Sequence, residues 1–207
     1  MDSQISLFLF ASIALIVTPG QDTIYVITRG IAQGKVAAMI SAIGVSSGII
    51  THTLFAAFGL SVILQSSAVA FLAIKYIGAA YLIYLGIRTL LSSQEFSLRT
   101  GRREVSKATL FWQGFISNVF NPKVALFFLA FLPQFVNPNA GSATSQMAIL
   151  GLVFALLGVM WLSCVGYFAG SMGRWIGQST TALGFLRWLT GSVMIGLGVR
   201  LALPERR

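Results

Sequence analysis

Six apolar stretches, near residues 5–28, 36–64, 68–91, 109–135, 145–172 and 182–203, take up most of this 207-residue chain. Each is near or above the ~20 residues that a helix needs to cross a bilayer. Each is apolar all round, where a membrane barrel strand would alternate, so the stretches are expected to be helices in lipid. Only 9% of the residues are charged, against about 25% in a soluble domain. That leaves no room for a separate soluble domain. The expected fold is an all-α integral membrane protein, a single transmembrane domain over residues 1–207.

The net charge of +9 does not point to nucleic acid, because the charges lie between the apolar stretches. Nine of the 14 Lys and Arg are placed so: Arg29, Lys35, Arg88, Arg99, Arg102, Arg103, Lys107, Arg174 and Arg187. With the N-terminus outside, all nine fall on the cytoplasmic side, and only Arg200, Arg206 and Arg207 fall outside. Lys75 and Lys123 lie within spans, and the loops 65–67 and 136–144 carry no charge. Positive residues gather on the cytoplasmic side, so both termini are expected outside. The tail Glu205-Arg206-Arg207 runs against that rule. Met1-Asp2-Ser3-Gln4 has no basic character, and no cleavage signal ends the first stretch, so a cleaved signal peptide is not expected. The single cysteine, Cys164, cannot form an intramolecular disulfide and reads as a small core residue.

Stretches three and six resemble each other. Lys75-Tyr76-Ile77-Gly78-Ala79-Ala80 with Leu85-Gly86-Ile87-Arg88 aligns with Arg187-Trp188-Leu189-Thr190-Gly191-Ser192 with Leu197-Gly198-Val199-Arg200, at a constant offset of 112. Thr18-Pro19-Gly20 and Asn121-Pro122-Lys123 match more weakly in stretches one and four. Two halves of three helices each, 1–91 and 108–203, joined by a cytoplasmic linker at 92–107, must lie in opposite orientations because three is odd. The expectation is six transmembrane helices as two inverted three-helix repeats, the plan of many secondary transporters.

The candidate site lies where the first and fourth stretches are interrupted. Thr18-Pro19-Gly20-Gln21-Asp22 places a proline, a glycine and a carboxylate inside an apolar run. Pro19 removes a backbone donor and Gly20 adds freedom, so the helix is expected to kink or break. Asn118 to Lys123 (NVFNPK) repeats the device, with Pro122 freeing the carbonyl four residues back and Asn118 and Asn121 offering amides to freed backbone. Half-helix ends at mid-membrane attract ions, their N-terminal dipoles favouring a carboxylate.

Four ionisable side chains lie within the spans: Asp22, His52, Lys75 and Lys123. Asp22 has three readings: it binds a substrate ammonium, carries a coupling proton, or pairs with a lysine to hold helices together. Lys123 is the better placed carboxylate ligand. Lys75 is open to a binding role or to snorkelling towards the interface. His52 titrates in the physiological range, so it reads either as a second proton carrier or as a hydrogen-bonded core residue. The pairs Gly44/Gly48 and Gly166/Gly170 have the small-xxx-small spacing of helix packing.

Together these residues resemble the LysE/RhtB family of bacterial amino-acid exporters. The likeness is carried by Thr18-Pro19-Gly20-Gln21-Asp22, similar to the family's PGP(D/N) motif, followed by Gly30 and Gly34. Gly44, His52, Gly59-Leu60, Lys75 to Leu82 with Leu85-Gly86, Asn118, Asn121-Pro122-Lys123 and Phe131-Leu132-Pro133-Gln134-Phe135 complete it. Gln21 departs from the motif's second proline, which loosens the first break. The resemblance implies export of amino acids or their derivatives across the cytoplasmic (inner) membrane, in antiport with protons. Asp22 would take the substrate ammonium; Lys123 and the half-helix ends would take its carboxylate. No cofactor and no metal are implied, and a homo-oligomer is left open. A membrane-embedded hydrolase is the alternative, but no serine elbow pairs with His52. A small-cation transporter is the third reading, and Asp22 is the sole carboxylate within a span to serve it.

Overall fold

The computed structural model describes residues 2–60, 62, 66–91, 104–137, 140–172 and 180–203. Among the described residues all regular structure is helical, without a strand. The order is α1 (Asp2–Val17), α2 (Gln21–Leu54, running into a π-helical turn at Phe55–Leu60), α3 (Ala68–Leu91), α4 (Lys107–Val119), α5 (Pro122–Leu126), α6 (Ala143–Met172) and α7 (Thr180–Ala202). A π turn at Phe127–Phe131 and a 3-10 turn at Leu132–Phe135 extend α5. Linker residues 92–103, turn residues Gln65, Pro138 and Asn139, Arg174 with 177–179, and the tail from residue 204 lie outside the described residues.

Among the described residues, three helical stretches are long and apolar enough to cross a membrane: Gln21–Leu60, Val69–Leu91 and Ala143–Ser171. A fourth forms if Lys107–Val119 and Pro122–Phe135, bent by 45°, count as one. Gln4–Val17 and Gly191–Ala202 are shorter apolar helices. The chain is a multi-pass, all-α membrane protein.

The longest stretch is two helices. Gly34 has φ +82° and ψ −176°, a conformation essentially confined to glycine. Gly30 and Ala38 face one another across it: a Cβ built on Gly30 would lie 3.2 Å from that of Ala38. Eight residues of straight helix span about 12 Å, so the chain reverses at Gly34, in the gap between the first two apolar stretches. The second limb of α2 runs antiparallel to α6. Ala38 meets Gly166, Ile49 meets Gly158 and Thr53 meets Gly151, so rising numbers on one meet falling numbers on the other.

Helices α3 and α7 also pack antiparallel, with a reciprocal contact. A Cβ on Gly198 would meet Ile83 and the Ala79 carbonyl; a Cβ on Gly86 would meet Ile195 and the Gly191 carbonyl. Subtracting 112 from 198, 195 and 191 gives 86, 83 and 79. The contact maps onto itself when the two helices are exchanged.

Apolar packing is centred on phenylalanines that join α1, α6 and the π turn after α5. Phe8, Phe127, Phe128, Phe131 and Phe154 are all fully buried, with the Phe127 and Phe154 rings 4.7 Å apart. Cys164 corrects the expectation from sequence: it is exposed on α6 rather than in the core.

Candidate functional site

The two breaks form as their prolines dictate. Helix α1 stops at Val17 and α2 starts at Gln21, with Gly20 extended between them at φ −150° and ψ −170°. Pro19 has no N–H, so the carbonyl of Leu15, four residues back, loses its helical partner. Asp22 sits in the first turn of α2, where an acidic side chain complements the helix dipole. In the second break α4 ends at Val119 and Pro122 opens α5. The side chain of Asn121 caps α5 by accepting from the Lys123 N–H at 3.0 Å. Pro122 in turn frees the carbonyl of Asn118.

Each break supplies what the other lacks. The Asp22 carboxylate accepts from Asn118 Nδ2 at 2.7 Å, from Asn121 Nδ2 at 2.8 Å and from Ser117 Oγ at 3.4 Å. Lys123 Nζ donates to the carbonyls of Leu15 at 2.9 Å and Thr18 at 2.8 Å, at the end of α1. A cation there suits the negative end of the helix dipole. The donors to Asp22 are thus neutral groups of the second break, and the acceptors of Lys123 are carbonyls of the first. Asn118 is fully buried, and its Oδ1 has no hydrogen-bond partner among the described residues. It packs on Gly48, where a Cβ would come within 2.7 Å of that oxygen.

Asp22, Gly20, Asn118 and Lys123 line one cavity of about 30 Å³, with Leu15, Ile16, Thr23, Val45, Ile49 and Val124. Phe154, Gly158 and Leu162 of α6 form the remaining wall. The space suits one or two water molecules and is far below the ~300 Å³ of small ligand sites. Among the described residues no cluster of His, Cys, Asp or Glu could hold a metal.

The other sequence candidates stand at different removes. Asn121 reaches the cavity through Asp22, and the two prolines act by deleting donors. His52 is outside the lining: its Nε2 lies 3.1 Å from the Asn118 carbonyl, which can only accept, so Nε2 carries the proton. Its ring lies against Phe128, centroids 5.8 Å apart. Lys75 is not brought to the site either. Its ammonium is 3.5 Å from the Leu203 carbonyl, just past the end of α7, a capping position. Sequence reasoning missed Ser117, the α6 wall and the seating of Asn118 on Gly48. Ser117 adjoins a recognised break and Gly48 belongs to a recognised glycine pair, but the apolar α6 face carries no signal.

The LysE type translocator family matches residues 13–205, which contain both breaks and all the polar groups just described. The chain belongs to this family. This LysE-type chain is 32% identical over 198 residues to the uncharacterized membrane protein YrhP of Bacillus subtilis (strain 168), covering 91% of this chain and 93% of the relative. It is 29% identical to the homoserine/homoserine lactone efflux protein of Salmonella typhi, over 94% of each chain. The leucine efflux protein of Enterobacter sp. (strain 638) is 27% identical, over 91% of this chain and 90% of its own. No solved structure matches.

Proposed function

We propose that this LysE-family member exports amino acids or amino-acid derivatives from the cytoplasm in exchange for protons. One observation carries the reading: the buried carboxylate of Asp22 and the ammonium of the half-buried Lys123 line one cavity at two helix breaks, with no direct bond between them. A zwitterion complements that pair. Its ammonium suits Asp22, and its carboxylate suits Lys123 and the first N–H groups of α2. Relatives named for efflux of homoserine, its lactone and leucine support the substrate class. None of the polar groups singles out a side chain. The cavity is too small for an amino acid, so binding requires α1, α4 or α6 to withdraw from it.

The reading includes a topology. Six spans are arranged as two inverted repeats in the inner membrane, with the N-terminus, the C-terminus and the 65–67 loop outside. The breaks at Pro19 and Pro122, the charge asymmetry and the reciprocal α3–α7 contact all support it. One chain supplies both charges of the site, so the binding step needs no second copy. Asp22 is the proposed proton carrier, with His52 linked to it through Asn118.

Inverted membrane vesicles test the proposal. An imposed pH gradient, acid inside, is expected to drive uptake of labelled leucine or homoserine above that of vesicles lacking the protein. Uptake of no amino acid would remove the exporter reading and return attention to hydrolysis of model substrates. Uptake indifferent to an uncoupler would remove the proton and leave the export.

A further inference from the structure

Each proline deprives one carbonyl of its helical N–H, Leu15 in the first break and Asn118 in the second. Both carbonyls find a side-chain donor from elsewhere in the chain. Lys123 Nζ takes Leu15 at 2.9 Å, together with Thr18 at 2.8 Å. His52 Nε2 takes Asn118 at 3.1 Å, alongside the turn bond from the Asn121 N–H at 2.8 Å. The acceptors are the C-terminal ends of α1 and α4, the two half-helices that a break leaves free to swing. The donors sit on the elements packed behind them, α5 for Lys123 and the second limb of α2 for His52.

We infer that Lys123 and His52 are paired latches, Lys123 holding the end of α1 and His52 the end of α4. Each must release its half-helix before the cavity can open on the side from which that half-helix enters. This rests on the exporter reading and its topology, in which α1 enters from outside and α4 from the cytoplasm. Releasing Lys123 therefore opens the outer path, and releasing His52 opens the inner one. Both latches are tied to the cavity. A substrate carboxylate competes with the Leu15 and Thr18 carbonyls for the Lys123 ammonium. Asn118 joins His52 to the ligand-facing Asp22, its backbone carbonyl held by His52 and its amide bonded to Asp22. His52 is accordingly a positioning residue, acting on Asp22 through Asn118.

The test uses a cysteine in the cavity wall, Thr23→Cys in a Cys164→Ser background. A membrane-impermeant maleimide is added to right-side-out and to inverted vesicles. His52→Phe is expected to raise labelling from the cytoplasmic face by roughly tenfold, the effect of losing one buried hydrogen bond worth ~1.4 kcal/mol. Lys123→Met, which removes two bonds to backbone carbonyls, is expected to raise labelling from the outer face alone, and by at least as much. His52→Gln, which keeps an N–H donor, should label as slowly as the parent. Restoring the missing backbone donor should suppress each defect: Pro122→Ala that of His52→Phe, and Pro19→Ala that of Lys123→Met. Acceleration from the same face by both variants, or by neither, overturns the inference. If a single variant does not accumulate in the membrane, its proline-restored double decides: recovery supports the latch and no recovery overturns it. The labelling needs no amino acid, so a parent that exports nothing removes the exporter reading and leaves the latches. Export without face-selective labelling does the reverse.

Discussion

Replacing Asp22 separates what the carboxylate holds from what its charge does. The side chain is 8% exposed and accepts from Asn118, Asn121 and Ser117. In Asp22→Ala the two amide donors on Oδ2 lose their acceptor in a buried site, at about 1–3 kcal/mol each. The expected loss of stability is about 2–6 kcal/mol, a large part of a marginal total. Asp22→Asn can keep its carbonyl oxygen where Oδ2 stood and turn its NH₂ towards the Ser117 hydroxyl. Both amide bonds survive, but as neutral bonds about half as strong, so the expected loss is only about 1–2 kcal/mol. Transport should rank differently. A substrate ammonium loses a charged hydrogen bond worth about 1.5–3 kcal/mol in either variant, which is roughly a tenfold to hundredfold weaker interaction. Asp22→Asn should therefore insert and melt nearly like the parent in detergent, yet fail in net efflux. Counterflow exchange then divides the two roles, since a lost proton carrier still exchanges substrate and a lost ammonium ligand does not. Export by Asp22→Asn at the parental rate and pH dependence would refute a functional charge. Equal melting of the Asn and Ala variants would refute the hydrogen-bond count.

Three further predictions follow from the packing and the topology. Gly48→Ala pushes a methyl to within 2.7 Å of the Asn118 amide, so melting is expected to show about 1–3 kcal/mol of overpacking and export to fall as Asn118 leaves Asp22. Gly34→Ala meets no atom within 4 Å but must adopt φ +82°, so it should cost about 1–3 kcal/mol in backbone strain with export retained in the folded fraction. Single cysteines at Ser66 and Ser97, in a Cys164→Ser background, should label from opposite faces of the membrane. Labelling of both from outside intact cells would sink the proposed orientation.

How much was legible in the sequence depends on whether one residue or a pairing carried the message. Length and uniform apolarity located the helices, and α3 at Ala68–Leu91 lies where the third stretch was drawn. Prolines are as legible, because a missing N–H acts on its own chain four residues away; both breaks are where Pro19 and Pro122 place them. The reversal at Gly34 falls in the gap between the first two apolar stretches, 5–28 and 36–64, and was legible from that interruption alone. Exposure was not legible. Cys164 lies in a stretch that is apolar on every side, so composition cannot tell its outward face from its inward one. The partners of ionisable groups were beyond reach too. Asp22, His52, Lys75 and Lys123 look alike as intramembrane charges, yet Lys75 ends beside the Leu203 carbonyl while Lys123 bonds Leu15 and Thr18.

That limit has a physical origin which also explains how the site is assembled. A proline specifies the carbonyl it frees, but the sequence does not say which donor will fill the gap. The donor is set by packing between elements as many as 108 residues apart, the separation of Leu15 from Lys123. Because Lys123 is occupied by the end of α1 and Asp22 by Asn118, Asn121 and Ser117, the structure satisfies both charges without joining them. Under the proposed function this separation matters, because a direct Asp22–Lys123 ion pair would have to be broken before a zwitterion could bind. Held apart by neutral partners, each charge can exchange a weaker bond for a stronger one when an ion of opposite sign arrives. The two breaks that cost the chain its helical hydrogen bonds are therefore what keep the pair available.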